Sequence, residues 1–290
     1  MNTSLNIRKT TGVCLLFSMG LLFSCKTEIH EPIAQENPSA TAKGNGKVSA
    51  IYNTRTINWN NYPNDTYTLS EAAVDFGNVT GWDDTNMYTS NGTARVKLLK
   101  NALSSAGGIV ANVDISDGSE YELQFDVKFH SQFDWSKGGK VGFGFRIGDG
   151  NTGCDRADDG NGGSARMMWY TSSNGEVRFK PYLYYKDMPD ACGSGFNTAY
   201  PASGSIQRET WYTIKIYVKS NTGSNTDGHV RFSVNGTTIL DQAIRWTTND
   251  SKRLINTMAF STFRGGSTTD WQSATDGLIY FDNLSWTKLN

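Results

Sequence analysis

The sequence predicts an all-β protein, a two-sheet antiparallel sandwich or jelly roll, and three observations carry that prediction. Beyond about residue 50 the chain is a succession of short segments in which apolar and polar residues alternate, the period-2 signature of half-buried strands. The links between them are rich in glycine, 30 Gly against 6 Pro in 290 residues, and 12% of residues are aromatic, a balance suited to many tight turns around a packed core. Beyond the N-terminal segment no stretch sustains the 3.6-residue apolar period of a long helix, although Leu98 to Leu103 and Asp250 to Ile255 have room for one helical turn each. Closely spaced strands with turn-rich links define the sandwich class, and the chain from 51 to 290 has an ordinary length for one such domain.

The first 25 residues read as a targeting segment. Arg8 and Lys9 form a short basic start, and the apolar run from Val13 to Phe23 is too short to span a bilayer stably. That run ends in Leu22-Phe23-Ser24-Cys25, which resembles a bacterial lipobox: a small residue just before a Cys, with Leu three positions ahead of it. The resemblance implies a mature chain that begins at Cys25, carries its acyl chains there and is tethered to a membrane. The alternative is an ordinary signal peptide that contains Cys25. Residues 26–50, polar and broken by Pro32 and Pro38, read as a flexible tether. The expected location is the outer membrane, and the early acids Glu28 and Glu31 hint at export to the cell surface.

In the run Tyr121 to Phe129, Tyr121, Leu123, Phe125, Val127 and Phe129 point inward, with Glu122, Gln124, Asp126 and Lys128 outward. The run FDWSKGGKVGFGFRIGDG from 133 sets Val141, Phe143, Phe145 and Ile147 against Lys140, Gly142, Gly144 and Arg146. On the next strand Ala165, Met167 and Trp169 oppose Ser164, Arg166, Met168 and Tyr170; on the one after, Val177, Phe179 and Leu183 oppose Arg178, Lys180, Tyr182 and Tyr184. Trp211 to Lys219 repeats the pattern, and His229 to Leu240 reads as a hairpin across Asn235-Gly236, a strong short turn signal. Met258 to Phe263 and Leu278 to Trp286 supply further strands. Three adjacent strands thus turn Lys140, Arg146, Ser164, Arg166, Tyr182 and Tyr184 toward one cleft, and glycines between its cations leave room for a ligand backbone.

A cationic, phenolic outer face suits an anionic sugar polymer. The formal net charge of −1 argues against a general nucleic-acid binder, so anion binding rests on this local patch. Of four cysteines, Cys14 and Cys25 fall in the leader; Cys154 and Cys192, an even pair in an exported chain, are expected to form a disulfide. Closing such a loop stabilises by about 3–4 kcal/mol on a chain-entropy basis. A metal at these cysteines is disfavoured by the lack of CxxC spacing or neighbouring histidines. The acidic loop Asp149 to Asp159 has oxygen ligands for Ca²⁺ but lacks the EF-hand order, so it reads as solvated and no cofactor is expected. His130 and His229 are assigned structural or surface roles.

FDWSKGGKVGF, SARMMW, the Tyr182-Leu183-Tyr184 pair and AFSTFRGG at 259 to 266, with RVKLLKNALSSAGG at 95 to 108 more loosely, resemble polysaccharide lyase family 14, which includes alginate and glucuronan lyases. The resemblance runs in the family's order through most of residues 95 to 284, and GGK followed by S-x-R-x-M-W is its specific part. It implies a concanavalin-like β-jelly roll whose concave face holds a uronic-acid polymer, with Lys140, Ser164, Arg166, Tyr182 and Tyr184 as functional residues. The chain departs from the family's pattern in three places. Val141-Gly142-Phe143-Gly144 stands where the family usually has Leu-Pro-Gly-Leu, the tyrosine pair lies a few residues late, so that Arg178 and Lys180 fall at its usual place, and Arg264 replaces a frequent aromatic.

The implied chemistry is β-elimination from a polyuronate, alginate first and glucuronan second. Arg166 has the planar fork to neutralise the carboxylate beside the reacting C5, while a tyrosine, a poor base until cations stabilise its phenolate, takes part in proton transfer. Tyr184 is expected in that role with Lys140 as a second acid/base or carboxylate partner, and Arg146, Arg178, Lys180, Arg264 and Tyr170 as groove contacts. A monomer is expected, with an anionic polysaccharide and, through the anchor, a membrane as partners. Two other readings stay open: a noncatalytic carbohydrate-binding protein of the same fold, and a glycoside hydrolase. For the latter no closely spaced acidic pair stands out on a strand; Glu122 and Asp126 share a face without an obvious partner. Neither a G-x-S-x-G elbow nor an H-E-x-x-H or P-loop motif is present.

Overall fold

The computed structural model describes residues 51–290; the leader, Cys25 with its expected lipid anchor, and the tether lie outside the described residues. In chain order the strands are β1 (Thr54–Ile57), β2 (Val79–Thr80), β3 (Met87–Ser90), β4 (Thr93–Leu98), β5 (Ile109–Gly118), β6 (Glu120–Phe129), β7 (Gly138–Lys140) and β8 (Phe143–Gly148). They continue as β9 (Gly162–Thr171), β10 (Val177–Tyr184), β11 (Tyr212–Lys219), β12 (Gly228–Val234), β13 (Thr237–Ile244), β14 (Ile255–Arg264) and β15 (Gly277–Lys288). Two antiparallel sheets result. An eight-stranded back sheet runs β13-β12-β11-β6-β15-β4-β3 with β1 added beside β15. A seven-stranded front sheet runs β10-β9-β7-β14-β5-β2, with β8 continuing the line of β7 between β9 and β14. The fold is the sandwich that the alternation predicts.

The core is the space between the sheets, filled by the apolar half of each alternating strand. Tyr121, Leu123, Phe125, Val127 and Phe129 of β6 and Ile214, Ile216 and Val218 of β11 are all buried. The two sheets meet at an aromatic cluster in which Phe143 of β8 stacks on Phe260 of β14 at 4.3 Å, while Phe125 of β6 and Phe281 of β15 each meet one of that pair edge-on at 5.4 Å. Such aromatic pairs add roughly 0.5–1.5 kcal/mol each beyond the area they bury. The β12–β13 hairpin turns at Asn235 and Gly236, both with positive φ (50° and 76°), as a two-residue turn of that sequence requires.

The alternation does not reveal α1 (Leu69–Phe76). This short helix is opened by a capping box, the Thr68 side chain accepting from Glu71 N–H and the Glu71 carboxylate from Thr68 N–H, and ended by Gly77. The helical turn expected within Asp250 to Ile255 is a 3₁₀ turn at Asp250–Lys252, whereas Leu98 to Leu103 holds none and the turn falls just beyond, at Ser104–Gly107. Where the chain departs from Leu-Pro-Gly-Leu, it breaks the strand: Gly142 has φ +77°, and a Cβ there would lie 2.3 Å from the Phe125 ring, so only glycine fits between β7 and β8. The break keeps Lys140 and Arg146 on the same outer face, each opposite an even-numbered residue of β9.

Candidate active site

The site is written in the register of the front sheet. On β9, Ser164 stands opposite Arg146 of β8 on one side and Tyr184 of β10 on the other. Two residues along, Arg166 faces Tyr182; two further, Met168 lies between Lys140 of β7 and Lys180; and Tyr170 lies between Gly138 and Arg178. Successive side chains on a strand point to opposite faces. Ala165, Met167, Trp169, Phe179 and Leu183 therefore fill the core, and the even-numbered residues form a bed of cations and phenols on the outer face.

That bed is sunk beneath the surface. Lys140 is 2% exposed, Arg166 6%, Tyr182 7%, and Ser164 and Tyr184 are fully buried. Its roof comes from the loops that carry the two cysteines, joined as expected by the Cys154–Cys192 disulfide with Cα atoms 4.3 Å apart. The Cys154 N–H donates to Tyr184 Oη at 2.8 Å, and Ser164 Oγ donates to the Asn151 carbonyl at 2.7 Å. Gly193, next to the second cysteine, sits so close to Tyr182 that a Cβ there would be 2.3 Å from Cζ of its ring. Beneath this roof Lys140 Nζ lies 3.9 Å from the centre of the Tyr182 ring. The Arg166 guanidinium lies 5.5 Å from the Tyr182 ring and 5.7 Å from that of Tyr184, and the two phenolic oxygens are 3.4 Å apart. A cation against an aromatic face is favoured most when both are desolvated, as here.

The expected groove contacts divide. Arg146 is half-buried on the shared face and packs under the loop at Gly150. Lys180 reaches over the Tyr170 ring at 5.1 Å, and Arg178 at the end of the row is tied to Glu176 and to the Gly204 carbonyl. Arg264 is a correction. It is 1% exposed, donates from Nη2 to the Asp134 carbonyl at 3.1 Å and rests against Phe133, away from the bed. Burial holds its guanidinium below the ordinary arginine range, opposed by Asp134 and Asp276. Register explains the difference: Phe263, not Arg264, pairs with Lys140, and its ring centre is 5.9 Å from Lys140 Nζ. An aromatic residue does line the bed here, one position earlier than the resemblance suggested. Strand parity puts Met168 on the bed while its apolar character gives no sign of a site residue, and Asn151, which holds Ser164 from a loop, has no signal in the sequence.

The acids of the Asp149 to Asp159 loop have partners of their own: Asp149 pairs with Lys252 at 2.6 Å, Asp158 with Arg156, and Asp159 accepts from Asn161. No cluster of three or more His, Cys, Asp or Glu positioned for a metal occurs among the described residues. His130 stands on the back sheet, stacked on Tyr280, and His229 pairs with Asp241 there.

A sandwich that gathers buried cations around phenols beneath a roof of disulfide-linked loops has the chemistry to hold an anionic group. The chain belongs to the polysaccharide lyase 14 family, whose profile matches residues 88–284. It is similar in structure to the alginate lyase Aly36B, with a TM-score of 0.82 and 59% identity over 83% of this chain and 99% of that one. A variant of Aly36B is held in complex with an alginate tetrasaccharide. The fold is shared with a marine alginate lyase of Aplysia kurodai, with a TM-score of 0.61 and 22% identity over 80% of this chain and 98% of that one. In sequence the chain is also 31% identical over 169 residues to Exolysin of Paramecium bursaria Chlorella virus 1, a stretch that is 50% of this chain and only 26% of that protein.

Proposed function

We propose that this protein is a polysaccharide lyase that cleaves alginate by β-elimination, and that Tyr182, rather than Tyr184, handles the proton. The observation that carries this reading is the placement of Lys140 Nζ 3.9 Å over the Tyr182 ring with Arg166 beside it, on a floor almost closed to water. Tyr184 is fully buried and its oxygen already accepts from Cys154 N–H, which suits it to position its neighbour. In the reaction Arg166 holds the uronate carboxylate and offsets the negative charge that spreads onto it as C5 is deprotonated. The Tyr182 phenolate, stabilised between Lys140 and Arg166, removes the C5 proton. The electron pair forms the C4–C5 double bond, the C4–O4 bond breaks, and a proton from Tyr182 or Lys140 goes to O4 of the leaving chain. No water is consumed. Ser164 and Arg146 flank this layer on the same face, and Lys180, Tyr170 and Arg178 extend it as contacts for the neighbouring sugars. Alginate is placed ahead of glucuronan because the relative at 59% identity is an alginate lyase.

In the same reading the chain is anchored to a membrane through an acylated Cys25, supported by the lipobox-like Leu22-Phe23-Ser24-Cys25. It acts there as a monomer on polymer outside the cell. A Cys25→Ser chain that leaves the membrane fraction supports the anchor, and one that stays in it overturns it.

The test of the activity is incubation of the purified protein with alginate, glucuronan and other polyuronates, read by ultraviolet absorbance of unsaturated products, beside Lys140→Ala. A rise on alginate that the substitution abolishes supports the reading. New reducing ends without absorbance would make it a hydrolase, and retention on alginate without any product would make it a binding protein.

A further inference from the structure

The back sheet carries an array that neither the core nor the cleft uses. On its outer face Trp211, Lys128, Tyr280, Arg95 and Tyr88 stand side by side. Trp211 immediately precedes β11, and the others lie on β6, β15, β4 and β3, strands that are neighbours in that order. Tyr280 is in register with Lys128 on one side and Arg95 on the other, and Arg95 with Tyr88. Lys128 Nζ lies 5.1 Å from the ring centres of both Trp211 and Tyr280, and the Arg95 guanidinium 4.8 Å from that of Tyr88. Aromatic and cationic groups therefore alternate across five adjacent strands, and Trp211 at the end is 39% exposed.

The fold does not call for this row. Core packing by these strands belongs to the intervening residues Ala94, Val96, Val127, Phe129, Ile279 and Phe281, which are buried. Strands lie about 4.8 Å apart, so the row crosses them over about 19 Å, room for a short stretch of sugar polymer. Ring faces offer stacking surface to sugar rings, and the cations between them offer charge-assisted hydrogen bonds to carboxylates. Of the acids nearby, Glu209 pairs with Lys128 across 3.8 Å at the exposed rim, a weak contact that a ligand carboxylate can replace, and Asp126, one step down the strand beside Asp282, accepts from Thr213 and Asn283.

We propose that this row is a second, noncatalytic binding site for an anionic polysaccharide, on the sheet opposite the cleft. The choice of alginate as its ligand rests on the function proposed above; the requirement for a polyanion rests on the row itself. Such a site holds the protein on its polymer while the cleft releases product.

The test is electrophoresis of the full chain, carrying Lys140→Ala to stop cleavage, through native gels containing alginate, polygalacturonate, heparin or a neutral glucan. Trp211→Ala/Tyr280→Ala is expected to weaken retention by polyanion about tenfold, the loss of one good contact, and to leave migration in neutral glucan unchanged. Titration with an alginate oligosaccharide is expected to give two sites per chain, and one in the double variant. Lys128→Gln, with its melting temperature checked, decides the matter should the double variant fail to fold. Unchanged retention in every polyanion, or a single site before and after substitution, overturns the proposal. Failure of the wild-type chain to cleave any polyuronate would overturn the proposed function alone, because retention that depends on the row would still support the second site.

Discussion

On the front sheet Lys140 and Arg166 lie against Tyr182 almost wholly removed from water, roofed by two loops clamped by a disulfide. On the back sheet Lys128 and Arg95 lie against Trp211, Tyr280 and Tyr88 with comparable cation-to-ring distances but only half-buried. Identical contact types thus carry different energies. A buried cation interacts strongly with any charge that develops beside it and costs desolvation to hold there, whereas a half-exposed one does less of each. The front arrangement suits stabilising a transition state, and the back arrangement suits reversible attachment.

The largest effect that separates the two faces is on turnover. Tyr182→Phe and Lys140→Met are each expected to lower kcat by at least about 10²-fold, the usual contribution of a positioned acid or base. Lys140→Met keeps a side chain of similar length at a position only 2% exposed, so its loss of turnover should exceed its loss of stability. A fall in stability as large as the fall in activity would mean that Lys140 serves the fold. Tyr184→Phe sharpens the assignment: it should leave measurable turnover, and complete loss would return the proton-transfer role to Tyr184.

Next in size is the roof. Cys154→Ser/Cys192→Ser removes a link across 38 residues, and about 3–4 kcal/mol of stability is expected to go with it. Because Cys154 N–H holds Tyr184 and Gly193 abuts Tyr182, kcat should fall as well, while binding by the back row should not change. Denaturant melts beside gel retention measure both.

How much of this was legible before the structure follows from the period of the strands. Parity alone assigns Lys140, Arg146, Ser164, Arg166, Tyr182 and Tyr184 to one face, because a strand alternates whatever it pairs with. Parity does not say how deep the face lies, and the burial of the bed comes from loops whose course no short-range pattern encodes. Arg264 was misplaced for a related reason: its side depends on Phe263 pairing with Lys140, a contact between residues far apart in sequence. The helix at Leu69–Phe76 was missed although Thr68-x-x-Glu71 announces a capping box, since eight residues are too few to display a period. Of the back row only Lys128 is assigned outward by the alternation, and the strand order β11-β6-β15-β4-β3 is what makes it part of a row.

A smaller effect comes from acid, at Asp134 beside the buried Arg264. Burial pushes the Asp134 carboxyl up, but Ser136 N–H, the Ser273 hydroxyl, Arg264 and Arg208 together leave it below its ordinary value. A carboxyl depressed in the folded state adds stability that is fully present above the unfolded pKa near 4 and is lost as pH falls through the lower folded value. Asp134→Asn should therefore cost stability at neutral pH and little in strong acid, so that the melting curves of variant and wild type converge as the pH is lowered. A gap independent of pH would show that Asp134 acts through packing alone.

The smallest effect belongs to the back sheet and completes the comparison. Lys128→Ala removes a cation from between two rings, but Lys128 and Glu209, its acidic neighbour at 3.8 Å, are partly and largely exposed at 23% and 51%. Exposed pairs of this kind contribute about 0–1 kcal/mol, and surface substitutions away from special backbone usually stay within about 0.5 kcal/mol. The variant should melt close to wild type, and salt should erase what difference there is, since exposed charges are screened within about 10 Å at 0.1 M. A loss of several kcal/mol would place Lys128 in the framework of the fold and remove the contrast between the faces. A neutral melt with weakened retention by polyanion would establish that the back row is kept for what it binds.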